Sequence, residues 1–434
     1  MPEGTVQGRE FASGDCVSLP YPDARRAFCL QAAKCLFFYG FLAVGPLWQS
    51  WQQGNVRGGL AMDYYMGHSV KADVWEAVQE ASSAFRGEQP GLILFFSDGL
   101  RFAAISAAMR ASFPAAAVVG CSTHASFSPE GFCLRGISLM AFAGLRTAVG
   151  CIHEITRHPM KYRGAVSEAL HELDGCELRG DNTCCFLLNP SGTGSEELVL
   201  DTLAEGLMGA DIPVFGGSAS SEERVVGGVS LNGQIYTESS IFILMHTEKG
   251  RLHIVQDNMF QPTNRVFTVT NVDVEKRTIY ELDGHPVADV LCRSLGVSFS
   301  GLERELKLNP LARIVEDNLF ITEIASVNPD GSITTYCRTF NQSGIALLKL
   351  GDIRTAISGK LTELHEALPV LDFSIMVNCF SRTELFLQRG WMGNFTQLLG
   401  DSLGNYIGWS SHGEQRGVYH LNWTLLILSF GGTR

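Results

Sequence analysis

The chain has 434 residues, 45% of them hydrophobic and 18% charged, which suits a globular protein with length for two or three cores. A net charge of −12 and the lack of any Lys/Arg run argue against nucleic acid or an anionic membrane as the main partner, because both are met by basic surfaces. The 12 cysteines form no CxxC pair and no His/Cys zinc spacing, so they read as buried reduced thiols of a cytosolic protein.

The first segment, RRAFCLQAAKCLFFYGFLAVGPLW at 25–48, is apolar. Its uncharged run from Cys35 to Gln49 is short for a bilayer crossing, and it starts too far in for a secretory signal. The stretch RGGLAM at 57–62 is what a ribosome-binding site would encode if read through. Translation is therefore expected to begin at Met62, with residues 1–65 an extension outside the folded part and a membrane anchor the alternative reading.

Regular elements follow. DVWEAVQEASSAF places Val74, Ala77, Val78, Ala81 and Phe85 on one helical face, with Asp73 as the cap. GLILFFSD is a continuous apolar run and predicts a buried strand. LRFAAISAAMRASF predicts a helix, AAVVGCST a strand ending in small residues, and GISLMAFAG another strand. The order returns with NTCCFLLNPS, a helix over SEELVLDTLAEGLM capped by Ser195, IPVFGGSAS and SSIFILMHT. It returns again with FSIMVNCFSR, GNFTQLLGDSLG, NYIGWSSHGE and LNWTLLILSF. The middle strands end in Gly120-Cys-Ser-Thr, Gly216-Gly-Ser-Ala and Gly408-Trp-Ser-Ser, so the three segments read as copies of one unit. Such units predict an α/β fold of repeated strand–helix–strand–strand units, their mixed sheets covered by helices.

Between the second and third copies, RVFTVTNVDVEKRTIYELDG and LFITEIASVNPDGSITTYCRTF alternate as hairpins, the latter turned at Asn328-Pro-Asp-Gly331. Pro286 opens a short helix between them, and IRTAISGKLTELHEAL is an amphipathic helix. A two-domain division into 66–281 and 282–434 is expected. The last strand is expected to run from Tyr419 to Leu428, with His420, Asn422 and Thr424 on one face.

VVGCST (118–123), PVFGGSAS (213–220), the Cys379…Arg382 pair and GEQRGVYHLNWT (413–424) together resemble the FIST family, with a FIST N domain followed by a FIST C domain over 66–434. The chain departs from the family pattern at His124-Ala125-Ser126 and at Ser381, where relatives carry Ala-Gly-Glu and Gly. The resemblance implies a bacterial, cytoplasmic sensory protein of signal transduction that binds an amino acid or similar small metabolite and passes its signal to a separate protein. Some relatives resemble haem-based nitric-oxide sensors, which would make His124, His412 and His420 the candidate iron ligands.

The residues themselves offer a matching constellation. Arg382 can grip a carboxylate with two parallel hydrogen bonds, and Glu414 can receive an ammonium group. Asn422 and Thr424 add neutral donors and acceptors, and Ser122, Thr123 and Ser218 at the Gly-x-Ser junctions can orient a ligand. The competing bland reading is an Arg382–Glu414 salt bridge, with Asn422 and Thr424 serving nearby backbone. The loop NPSGTGSEE (189–197) lacks the Lys-Ser/Thr ending of a phosphate loop and reads as a helix entrance. An enzyme using Cys121, or His412 with Glu414 as acid and base, is the competing class of function. An interaction scaffold is a third.

Overall fold

The structure is a computed structural model that describes residues 63–85, 89–158, 162–221, 226–316 and 318–432. The apolar segment 25–48 and the proposed start at Met62 lie outside the described residues.

The first repeat runs β1 (Tyr64–Ser69), α1 (Val74–Ala81), β2 (Leu92–Asp98), α2 (Phe102–Ser112), β3 (Ala117–Thr123), the hairpin β4 (Ser126–Ser128) and β5 (Gly131–Cys133), and β6 (Ile137–Phe142). Asp73 caps α1 by accepting the Glu76 N–H, as the sequence predicts. Strand β2 pairs parallel with β3 and antiparallel with β6, and β1 closes the outer edge on β6. The second repeat has the same order: β7 (Arg146–His153), α3 (Arg163–Glu172), β8 (Thr183–Asn189), α4 (Glu196–Gly206), β9 (Val214–Ser218), the hairpin β10 (Val229–Leu231) and β11 (Gln234–Tyr236), and β12 (Ser239–His246). Ser195 makes no side-chain capping bond to α4; its hydroxyl bonds Thr193 instead, at 2.8 Å.

The third repeat begins earlier than expected, at β13 (Arg251–Asp257), the edge strand of the last sheet. It is then interrupted by an inserted segment of β14 (Phe260–Asp273), β15 (Thr278–Leu282), β16 (His285–Pro286), α5 (Val287–Leu295), α6 (Phe299–Leu308), β17 (Leu311–Val315), β18 (Asn318–Thr322), β19 (Ile324–Val327), β20 (Ile333–Thr335) and β21 (Gly344–Leu350). The sequence division at 281/282 falls within β15. Pro286 stands directly before α5, and the turn at Asn328–Gly331 closes with a Gly331 N–H bond to the Asn328 carbonyl at 2.9 Å. The repeat resumes with α7 (Ile353–Ala367), β22 (Val370–Cys379), α8 (Phe380–Gln388), α9 (Met392–Leu403), β23 (Tyr406–Ser411), the hairpin β24 (Glu414–Arg416) and β25 (Tyr419–Leu421), and β26 (Leu425–Gly432).

The hairpins are exchanged in a cycle. The first repeat's β4–β5 completes the third repeat's sheet beside β23, the second repeat's β10–β11 completes the first sheet beside β3, and the third repeat's β24–β25 completes the second sheet beside β9. The expected closing strand over 419–428 is therefore two strands in different sheets. Asn422, Trp423 and Thr424 are the crossover between them, and Trp423 takes a left-handed φ of 54° there.

The three sheets share one inner core. Phe96 stacks on Trp409 at 4.6 Å between ring centres, and Phe186 meets the same indole edge-on at 5.8 Å, joining the three repeats. Each sheet is covered outside by its own helices, which explains the unbroken apolar runs of β2, β8 and β22. The repeated glycine has one physical cause. A Cβ at Gly120, Gly216 or Gly408 would overlap the carbonyl oxygen of its partner on the parallel strand, Phe95, Leu187 or Met376. Gly216→Ala is expected to destabilise the protein by about 1–3 kcal/mol, read as a lowered urea midpoint; an unchanged midpoint would show that this close approach is not required.

Candidate functional site

The Gly-x-Ser junctions meet where the three sheets converge. The Ser122 hydroxyl donates to the Ser220 carbonyl and accepts the Gly228 N–H, both at 3.0 Å. Thr123 Oγ1 donates to the Ala125 and Ser410 carbonyls at 2.7 and 3.1 Å and accepts the Ser410 N–H. Ser218 Oγ accepts from Gln415 Nε2 at 3.2 Å, and its carbonyl accepts the Trp409 indole N–H. All three side chains are buried and bond across repeats. Cys121 lies in the inner core, where burial pushes its thiol well above the ordinary range, so it stays protonated.

The register gives Glu414 its meaning. It pairs with Gly217 where Val229 and Ser126 stand in the other two sheets, so a carboxyl occupies a place that is apolar or small elsewhere. Its Oε2 accepts the Thr424 N–H at 3.2 Å, while Oε1 has no partner and the side chain has no exposure. Burial raises its pKa well above the usual range, against the opposing effects of the Thr424 N–H and the Arg382 charge.

Arg382 sits not at a strand end but in the first turn of α8, one turn past the end of β22, and is fully buried. Its Nη1 lies 2.8 Å from Asp257 Oδ2, at the end of β13, and Nε donates to Asn378 at 3.1 Å. Its guanidinium also lies 5.5 Å from the Phe386 ring centre. The Arg382–Glu414 bridge of the competing reading is not formed; Asp257 pairs with Arg382 instead. Arg382 Nη2 is left without a hydrogen-bond partner. Asn422 accepts the Glu323 N–H at 3.1 Å and faces Cys337, and the Thr424 hydroxyl donates to the Asn422 carbonyl at 2.8 Å. Asn422 thus serves the backbone of the inserted segment, and Thr424 that of the crossover.

Three further members come from elsewhere in the chain. Cys379 precedes α8, its thiol raised by burial and then by Glu414 and Glu323. Glu323 comes from the inserted segment, and both of its oxygens accept from Ser381 Oγ, at 2.8 and 2.9 Å. Burial raises Glu323 to about 7, with Ser381 and Lys307 opposing. Asp257 is the third. One signal for Glu323 was available in the sequence: it is the only charge within the apolar run LFITEIASV. Asp257 gave none, because nothing in the sequence pairs it with a residue 125 positions on.

The histidines lie around this cluster. The Phe380 ring is flanked by His124 at 5.0 Å and His412 at 4.7 Å, and His124 Nε2 lies 3.0 Å from Glu384. Surrounding protein and then the His124 charge lower His412 to about 4. His420 is walled in: its ring meets Gln415 at 3.2 Å, leaves no room for a side chain at Gly413, and is lowered by burial to about 3. A cleft of about 420 Å³ lies between the β4–β5 hairpin and α9, lined by Glu130, Gln397, Asp401 and Asn405, and touches none of the predicted site residues. In the first turn of α4, Glu196 and Glu197 hold Arg277 of the inserted segment at 3.4 and 2.9 Å, so this helix entrance is an ionic latch.

The fold and site define a three-repeat α/β protein whose strand ends enclose a buried polar cluster. The profile of the FIST N domain, a sensory domain of signal transduction, matches residues 91–285. That match covers most of the first two repeats and the start of the third. Among solved structures, the chain is similar to a cyanuric acid hydrolase from A. caulinodans, with a TM-score of 0.34 and 9% identity over 85% of this chain and 99% of that one. No curated protein matches. Among the described residues, no helix is long and apolar enough to cross a membrane.

The raised Glu323 carboxyl makes stability depend on pH. The folded state holds its proton up to about pH 7, whereas the unfolded state releases it near the ordinary carboxyl value. Folding stability from this group is therefore lost as pH rises from about 4.5 to about 7. Glu323→Gln is expected to reduce the loss of melting temperature between pH 5 and pH 8, roughly, compared with the parent; parallel melting curves would show that Glu323 titrates normally.

Proposed function

We propose that this protein is a cytoplasmic sensor that binds an amino acid or similar small metabolite at the end of β22 and passes its signal to a separate protein. The observation that carries this reading is a pair of buried polar atoms without partners, Glu414 Oε1 and Arg382 Nη2. A buried polar group left unpaired costs about 1–3 kcal/mol, and more when charged. A zwitterion supplies an ammonium for the first and a carboxylate for the second.

Position supports the same reading. The cluster lies at the C-terminal end of a central strand, where open α/β sheets place their ligands. It joins β13, β22, α8, the exchanged hairpin and the inserted segment, through Asp257, Cys379, Arg382, Glu414 and Glu323. A ligand held there would bias how the inserted segment seats on the repeat body, provided it binds two arrangements with different affinity. Ser122, Thr123 and Ser218, one network away, hold the repeats in register around the site.

A calorimetric screen of the 20 amino acids is the direct test. At least one is expected to bind, with Arg382→Ala and Glu414→Gln each weakening it at least tenfold. Retention of full affinity in both variants would place the ligand elsewhere.

A further inference from the structure

The charges around this site do not balance, and the imbalance names the chemistry of the ligand. Three buried carboxyls belong to this neighbourhood: Glu414, Glu323, which acts electrostatically on it, and Asp257, the partner of Arg382. One cation, Arg382, meets a single one of them, Asp257, at contact distance. Its Nη1 is paired with Asp257 Oδ2 at 2.8 Å and donates to the Asp257 and Trp423 carbonyls, while its Nε is held by Asn378. Among the described residues, neither Glu323 nor Glu414 has an ion-pair partner within 4.0 Å. The groups facing Glu414 are Cys379, Glu323 and, beyond contact distance, Arg382. Those facing Glu323 are Ser381 and Tyr336, with Lys307 of α6 beyond contact distance.

A buried carboxylate without a partner is expensive, so these two carboxyls await a cation or a proton. A metal ion is a poor fit, because among the described residues no three His, Cys, Asp or Glu side chains are placed to hold one. An ammonium group fits better: it carries three directional donors, and Glu414 Oε1 is an unused acceptor on a side chain with no exposure. Phe380 and Ser381 form the first turn of α8 and are half-buried, and Ser381 already touches Glu323.

We propose that the site recognises a primary ammonium group seated between Glu414 and Glu323, and that its ligands are alkylamines, diamines included, for which a carboxylate is dispensable. The inference rests on reading the end of β22 as the ligand site. It has a thermodynamic consequence. Both carboxyls enter the complex as carboxylates, whereas burial holds protons on them in the free protein. Binding therefore expels protons, and affinity rises with pH. An alkylammonium remains charged throughout this range.

Calorimetry on the full chain with butylamine, 2-aminobutanoate and butanoate, near pH 6 and pH 8, decides it. Butylamine is expected to bind and to bind at least tenfold more tightly at the higher pH, with proton release seen as a dependence of the heat on buffer. Glu414→Gln and Glu323→Gln are each expected to weaken butylamine at least tenfold and to flatten the pH dependence. The ligand panel on the parent chain stands even if a variant fails to fold. Binding of 2-aminobutanoate without butylamine would overturn this inference and leave the sensor reading intact. Binding of butanoate alone, or butylamine binding indifferent to pH, would also overturn it. Silence from all three overturns it as well, and the sensor reading then falls only if the amino-acid screen is silent too.

Discussion

Every sheet of the repeat body is finished by a hairpin from another repeat, and this cyclic exchange is the constraint on which the rest depends. Each hairpin must reach across a junction where strand ends nearly touch. Gly120, Gly216 and Gly408 let the two parallel strands within each repeat lie close there, since a Cβ would overlap a carbonyl of the neighbouring strand. Once the strands are that close, Ser122, Thr123, Ser218 and Ser410 bond from one repeat to another. Phe96, Phe186 and Trp409 then pack into one shared core. No repeat can bury its own inner face alone, so the three are expected to stand or fall together.

The exchange also explains where the polar cluster sits. Handing β24 to the second sheet carries Glu414 from the third repeat into the convergence of two sheets, in a place filled by Val229 or Ser126 in the other two. The next residue, Gln415, points to the opposite face and meets Ser218 and His420. Divergence of one copy while the other two keep packing residues lets a repeat protein acquire a site without losing its scaffold. The inserted segment adds to the same specialisation, because it enters the third repeat between its edge strand and its first helix. Its fastenings include the Arg277 and Arg338 pairs with Glu196, Glu197 and Asp201, the Arg313 bond to the His420 carbonyl, and the Glu323–Ser381 contact at the site.

Much of the fold was legible because its signals are local. Buried central strands read as apolar runs, the Asp73 cap and Pro286 marked helix starts, and the Gly-x-Ser ends repeated three times. The site was legible only in part. Arg382 and Glu414 do share one neighbourhood, yet each is bonded to a group that sequence reasoning did not supply: Asp257 for the first and the Thr424 N–H for the second. Asn422 and Thr424 were read as a stripe on one strand because their spacing alternates. Trp423 turns the chain there with a positive φ, which alternation does not reveal.

The sequence by itself determined the elements, their threefold recurrence and the resemblance to the FIST N domain, since these depend on residue type and spacing along the chain. Only the tertiary structure decided which hairpin completes which sheet, that the third repeat starts at β13 and encloses a long insertion, and that Asp257 rather than Glu414 neutralises Arg382. These are contacts between positions 58 to 287 residues apart, chosen by geometric fit and by the cost of leaving a buried charge alone, and local pattern carries no record of either.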